Sequence, residues 1–379
     1  MIYNDFHGIK LSALGFGAMR LPVIDGDDTR PDPDQVAQMV DYALAHGVNY
    51  FDTAWGYHGG HSEEVLGAAL ARHPRASFYL ASKFPGYDVS NFGKHEAIFE
   101  EQLKRAQVDH FDFYLLHNVC ELNIDRYLDD ATFGTVSYFL AQRAAGRIKH
   151  LGFSVHGNFD TFLRFMNAYG DQMEFCQVQL NYEDWDFQKA KDKVAYLNER
   201  GLGIVVMEPL RGGNLVKFTD DERRALDALH PGRSAVDWAF RYVQSTPGVI
   251  TTLSGMSSLD QLKENVEIFS NDEPLSPEER AALEKIGYAK AHAKGVPCTA
   301  CHYCTSHCPL ELDIPRLLEL YNEQLSKESG NFIAAMALNS MPEGKRPSAC
   351  IACGSCEVVC PQQIDIPDTL AEFAEMMGE

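Results

Sequence analysis

Along the first 290 residues, short β-branched and aromatic runs alternate with longer stretches whose apolar residues recur at helical spacing. The runs are LSALGFG (11–17), VNYFD (48–52), SFYLAS (77–82), FDFYLLH (111–117), IKHLGFS (148–154), EFCQVQ (174–179), GIVVM (203–207) and GVITTLS (248–254). Each is short and nearly continuously apolar, as a parallel strand buried on both faces requires. The stretches between them carry helix signals: Pro33 and Asp34 open QVAQMVDYALAHG, Gly47 ends it, and Ser62 opens EEVLGAALARH. Eight strands with intervening helices predict an α/β fold, a (β/α)8 TIM barrel, whose usual length is about 250 residues. The preceding MIYNDFHGIK predicts a small hairpin closing the barrel floor.

Beyond residue 290 the pattern changes. Two cysteine runs, CTACHYCTSHCP (298–309) and CIACGSCEVVCP (350–361), flank IPRLLELYNEQLSKESGNFIAAMAL (314–338), whose leucines recur at helical spacing. This predicts a barrel over 1–290 and a small, mainly helical domain over 291–379. The 379 residues, 45% of them apolar, suffice for one large core and a smaller one. Eight of the ten cysteines fall in the two runs, and the N-terminus lacks an apolar signal stretch, so a reducing, cytoplasmic compartment is expected. No apolar run reaches the roughly 18–20 residues of a membrane span. With 33 basic against 54 acidic residues, the net charge of −21 argues against a nucleic-acid partner.

Polar residues gather where the predicted strands end. Asp52 closes the second strand, Lys83 follows the third and His117 ends the fourth, while Ser154, Gln177 and Met207 lie at or near the ends of the next three. Barrel enzymes draw their catalytic groups from the C-terminal ends of several strands. A single strand-end Asp reads as a helix cap and a single Lys as a surface charge; several at one mouth read as chemistry.

The segments GFGAMRLP, FDTAWGYHGGHSEEVLG, ASKF, YLLHN, GFS, MEPLRGG and GMSSLDQLKENVE occur in this order. Over roughly residues 8–290 the chain thereby resembles the aldo-keto reductases. That resemblance implies a catalytic tetrad of Asp52, Tyr57, Lys83 and His117, reducing an aldehyde or ketone by hydride transfer with Tyr57 as proton donor. Negative charge develops on the carbonyl oxygen, so a proton and a stabilising donor are needed. A phenol of pKa about 10 is a weak acid unless a cation steadies its phenolate. Lys83 would supply the cation, Asp52 would hold it, and His117 would orient the carbonyl.

The resemblance places the nucleotide along Gly17, Met19, Ser154, Gln177, Met207, Pro209, Leu210, Arg211, Gly213, Gly255, Gln261, Glu264 and Asn265. Three departures stand out. Ser154 is followed by Val155 and His156 where the family has Asn, and Met207 replaces a stacking aromatic. Where NADP-specific relatives place a cation there are Gly255 and Gln261, with Ser257, Ser258 and Lys263 nearby, so NADP(H) and NAD(H) both stay open. Arg211, Gly212 and Gly213 are expected to bind phosphate through backbone N–H groups and the guanidinium. Trp55, Tyr87 and Trp185 are candidates for an aromatic substrate pocket.

Each cysteine run reads CxxCxxCxxxCP, the bacterial-ferredoxin pattern for a [4Fe–4S] cluster. Zinc takes separated cysteine pairs instead. In two-cluster ferredoxins the fourth cysteine ligates the other cluster, which implies Cys298, Cys301, Cys304 and Cys360 around one, and Cys350, Cys353, Cys356 and Cys308 around the second. The module resembles helical two-cluster ferredoxins, and its fusion to the barrel resembles a branch of the aldo-keto reductases. Cys120 and Cys176 stand apart and read as packing residues. A nicotinamide moves two electrons and a cubane one, and no dinucleotide-binding GxGxxG is present to hold a flavin. Three readings follow: a carbonyl reductase with redox-active clusters, an electron-transfer protein using the barrel as a platform, or a reductase whose clusters brace the fold. The four motif residues favour the first and third. The expected partners are a small carbonyl compound and a ferredoxin or other redox protein.

Overall fold

The computed structural model describes residues 1–291, 295–326 and 332–379. Strands β1 (Tyr3–Phe6) and β2 (Ile9–Ser12) form an antiparallel hairpin. Eight parallel strands then close a barrel: β3 (Leu14–Gly17), β4 (Tyr50–Asp52), β5 (Tyr79–Phe84), β6 (Phe111–Val119), β7 (Ile148–Val155), β8 (Phe175–Gln179), β9 (Gly203–Met207) and β10 (Val249–Gly255), with β10 pairing back onto β3. The expected strand at 11–17 is split. Its first residues pair within the hairpin and only Leu14–Gly17 enters the barrel, because the Ser12 hydroxyl donates to the Leu14 carbonyl and Thr251 Oγ1 donates to the Ser12 carbonyl, turning the chain at Ala13.

The barrel interior is a packed core. Phe113 lies 4.9 Å from the Tyr50 ring and 5.2 Å from Phe175, while Phe6 of the hairpin closes the floor 5.6 Å from Phe113. Gly152 in β7 shows how tight this is: a Cβ there would sit 2.5 Å from the Phe175 carbonyl oxygen. A second apolar shell lies between strands and helices, where Phe99, Phe139, Phe153 and Phe165 are fully buried.

The C-terminal part has its own core. Leu317, Leu318 and Tyr321 of the helix Ile314–Ser326 pack with Ile366, Leu370 and Phe373 of the helix Ile366–Met377. The expected helical stretch between the cysteine runs continues in the helix Phe332–Ser340, but its residues 327–331 lie outside the described residues, as do 292–294 just past the expected domain boundary. Among the described residues no helix is long and apolar enough to cross a membrane.

The cysteine module sits on the C-terminal mouth of the barrel. Arg20 and Asn214 donate to the carbonyls of Thr299 and Cys298, each at 2.9 Å, and Gln188 donates to that of Pro361 at 2.9 Å. Gly212, at φ +63°, is the seat for this loop: a Cβ there would lie 2.5 Å from the Thr299 carbonyl oxygen.

Candidate active site

Strand order brings Asp52, Lys83 and His117 to one mouth from neighbouring strands β4, β5 and β6, and Tyr57 opens a short 3-10 turn just after β4. Lys83 Nζ donates to Asp52 Oδ1 at 2.6 Å, to the Thr53 carbonyl at 2.8 Å and to the Tyr57 hydroxyl at 3.3 Å. The ammonium also lies 4.8 Å from the centre of the Tyr57 ring, which meets the His117 ring edge-on at 6.2 Å. Lys83 and Asp52 are buried. Burial pushes the Asp52 carboxyl up and the Lys83 ammonium down, each opposed by the other's charge, and the close contact keeps them an ion pair. Burial likewise holds His117 well below the usual histidine range, with the Lys83 charge adding to it, and raises the Tyr57 hydroxyl well above the usual phenol range, where the Asp52 charge adds to it.

A buried network fixes Lys83 from behind. Gln102 donates to the Lys83 carbonyl at 2.9 Å and to Glu63 Oε1 at 2.7 Å; Ser82 donates to the same carboxylate oxygen and Tyr114 to Gln102 Oε1. His58 holds the 3-10 turn in place by accepting the Leu21 N–H at 3.0 Å.

A cavity of about 440 Å³ opens beside these groups. All the residues expected on the nucleotide side line it except Ser154, whose buried hydroxyl accepts the Asn118 N–H at 2.8 Å. Gln177 reaches Met207 Sδ with its amide nitrogen at 3.4 Å, leaving its buried Oε1 without a hydrogen-bond partner among the described residues. Asn265 donates to Ser254 Oγ, and Gln261 Oε1 accepts the Ser257 N–H. A free carboxamide oxygen beside an adaptable thioether fits the amide of a nicotinamide.

Arg211 departs from its expected role. Its guanidinium is 1% exposed and is ion-paired to Glu183 and Asp184, with Nη2 donating to Gln362 Oε1 at 2.6 Å. It ties barrel to module, and each of its three nitrogens already has a partner there. Arg211→Ala is therefore expected to strand two carboxylates and cost about 3–5 kcal/mol, read as a lowered melting temperature, while the ratio of NADPH to NADH affinity stays unchanged. Arg20 is a cation that sequence reading missed: it lines the cavity and packs across Gly255. Glu208, at φ +56°, also lines the cavity, and burial raises its carboxyl.

Of the three candidate aromatics, Tyr87 stands 5.3 Å from His117, and Trp55 lies under the Arg105 guanidinium at 3.9 Å; both border a groove of about 1070 Å³ that leads to Tyr57. Trp185 packs away from it against Tyr242 and Arg280.

The eight clustered cysteines surround two small cavities. One is bordered by Cys298, Cys301, Cys304 and Cys360, the other by Cys308, Cys350, Cys353 and Cys356. Among the described residues no three His, Cys, Asp or Glu side chains converge on a point suited to a single metal ion. Four thiols spread around each cavity fit a polynuclear cluster better than one zinc. Burial pushes the Cys301 thiol up to about 12 and Cys356 up to about 11, so their ionisation needs a cationic metal beside them. Cys301 borders both its own cavity and the one beside Tyr57.

The sequence model of the Aldo/keto reductase family matches residues 13–287. The chain belongs to the aldo/keto reductase family. A 4Fe-4S dicluster domain model matches residues 297–365, so this aldo/keto reductase is an oxidoreductase with a C-terminal iron–sulfur domain. The uncharacterized oxidoreductase YqkF of Bacillus subtilis is 25% identical over 75% of this chain and 96% of its own length. The L-galactose dehydrogenase of Arabidopsis thaliana is 26% identical over 73% of this chain and 90% of its own. Among solved structures, aldo-keto reductase AKR11C1 from Bacillus halodurans, in its holo form, is 25% identical with a TM-score of 0.61, covering 76% of this chain and 96% of that one. An aldo-keto reductase from Klebsiella pneumoniae in complex with NADPH, 22% identical with a TM-score of 0.62 over 76% of this chain and 96% of that one, shares the fold.

Proposed function

We propose that this aldo/keto reductase reduces an aldehyde or ketone with NAD(P)H, using Tyr57 as proton donor, and carries two [4Fe–4S] clusters as electron carriers in a module spanning 291–379 beside the 1–290 barrel. The observation that carries the reading is the Lys83 ammonium held by Asp52 and set 3.3 Å from the Tyr57 hydroxyl. A reduced nicotinamide bound in the cavity supplies a hydride, and a cubane cluster supplies one-electron transfer. The remaining work belongs to the chain. Gln177 offers its free Oε1 to the nicotinamide amide. Tyr57, kept protonated by burial, gives its proton to the carbonyl oxygen, and Lys83 then steadies the phenolate. Neutral His117, in the tautomer that carries its proton on the nitrogen facing the cavity, donates to the carbonyl oxygen and orients it.

The clusters would be held in crossed fashion, by Cys298, Cys301, Cys304 and Cys360 and by Cys350, Cys353, Cys356 and Cys308, as the two cavities group them. The electron-carrier role is favoured over bracing because Cys301 borders both a cluster cavity and the reductase cavity. Such thiolate-held clusters suit a reducing, cytoplasmic setting and a one-electron protein partner such as a ferredoxin.

The test is an oxygen-free assay against a panel of aldehydes and ketones with NADPH, NADH and a reduced ferredoxin. Turnover with both nucleotides is expected, differing by less than about tenfold, because the cations in the cavity are engaged with the module. Turnover with ferredoxin alone would replace this reading with the platform reading. Rate is expected to stay level from pH ~6 to ~9, since His117 titrates below and Tyr57 above that window. A step near the ordinary histidine value of about 6.5 would show a solvated His117 and contradict the seating described.

A further inference from the structure

We propose that Tyr303 decides which substrates reach the tetrad, because its hydroxyl stands where a carbonyl oxygen has to stand. The inference rests on the reductase reading and names its substrate class. A carbonyl that takes a proton from Tyr57 and a hydrogen bond from His117 must place its oxygen within reach of both. One group already stands beside both. The Tyr303 hydroxyl lies 3.5 Å from His117 Nε2, and its side chain lines the same cavity as Tyr57. Its ring runs roughly parallel to Tyr87 with centroids 6.0 Å apart, and meets the His117 and His156 rings edge-on at 6.5 Å and 6.1 Å.

Tyr303 does not come from the barrel. It stands between Cys301 and Cys304, on the loop whose Cys298 and Thr299 carbonyls are held by Asn214 and Arg20. The loop that borders the first cluster cavity therefore also presents a phenol to the tetrad. A substrate arriving along the groove that Trp55 and Tyr87 border meets this ring beside Tyr57, since both line it. To react, it must turn the ring aside and take its place.

The place vacated has a definite shape. It is flat, walled by the Tyr87 and His156 rings, and tipped by the two oxygen-binding groups. An aromatic aldehyde matches it: its ring lies on Tyr87, and its oxygen replaces the Tyr303 hydroxyl. A small aliphatic aldehyde brings an oxygen but no ring to replace the displaced stacking. An occupant that has to leave first lowers apparent affinity by the fraction of time the site is free. Removing it should lower KM more than it changes kcat.

The experiment compares wild type, Tyr303→Ala and Tyr303→Phe, each with iron content matched to wild type, using benzaldehyde and propanal without oxygen. Benzaldehyde is expected to be the better substrate of wild type. Tyr303→Ala should raise kcat/KM about tenfold through KM, with a smaller gain for Tyr303→Phe, which keeps the ring and loses only the hydroxyl. By calorimetry, p-cresol should bind Tyr303→Ala and not wild type, and should compete with benzaldehyde in the variant. Unchanged or lower kcat/KM in both variants, with Tyr57→Phe still silencing the wild type, would overturn the gate and leave the reductase reading standing. No carbonyl reduction by any of these proteins would remove that reading and the gate with it.

Discussion

Tyr57→Phe is expected to stop carbonyl reduction while nucleotide binding persists. The substitution deletes one oxygen and keeps the ring that faces Lys83 and His117, so the wall of the cavity survives. What disappears is the proton donor set 3.3 Å from a buried ammonium. Removing a positioned general acid typically costs about 10²–10⁴ in rate, and the upper end is expected because His117 is kept neutral by burial and makes a poor substitute acid. Single-turnover kinetics without oxygen would read the loss, and quenching of nucleotide fluorescence would read the binding. Retained turnover would sink the assignment. Weakened nucleotide binding alone would instead make Tyr57 a wall of the cavity.

The barrel was legible because parallel strands buried on both faces have to be written as unbroken apolar runs, and GIVVM became β9 without a residue gained or lost. The tetrad residues were legible for a related reason: FDTAxxY, SKF and LLH are local in sequence, and the strand order turns local motifs into neighbours. What escaped depends on contacts across long separations. Arg211 follows a strand end beside two glycines, which reads as a phosphate loop, yet its partners lie 27 and 28 residues before it and 151 after it. Gly212 was read the same way and instead makes room for Thr299. Tyr303 sits 186 residues from His117, inside a cysteine run whose spacing draws attention to the metal and away from the barrel. The hairpin's claim on Ser12 was hidden because the alternation of β2 runs straight into the apolar start of β3.

Cys360→Ala is expected to remove the cluster bordered by the first cysteine run, although Cys360 belongs to the second. Its side chain lies with Cys298, Cys301 and Cys304, while its neighbours in sequence, Cys353 and Cys356, border the other cavity. Cubane binding by three thiolates is weakened when the fourth is lost, and cluster binding is coupled to folding of the loops that supply it. The damage should spread through two seats on the barrel. The Pro361 carbonyl accepts from Gln188, and Gln362 accepts from Arg211 and Gln179, so slackening residues 360–362 loosens the lock that closes the module on the mouth. Iron should fall from about eight atoms per chain to about four or fewer, and the melting temperature should fall with it. Cys308→Ala should instead strip the cavity bordered by Cys350, Cys353 and Cys356, and leave the barrel seats intact because the lining of that cavity comes from residues 308–370. Spectra of the two variants should therefore report different remaining clusters. If Cys360→Ala lost only the cluster of its own run, the crossing would be refuted, and the grouping of thiols around the two cavities would need another explanation.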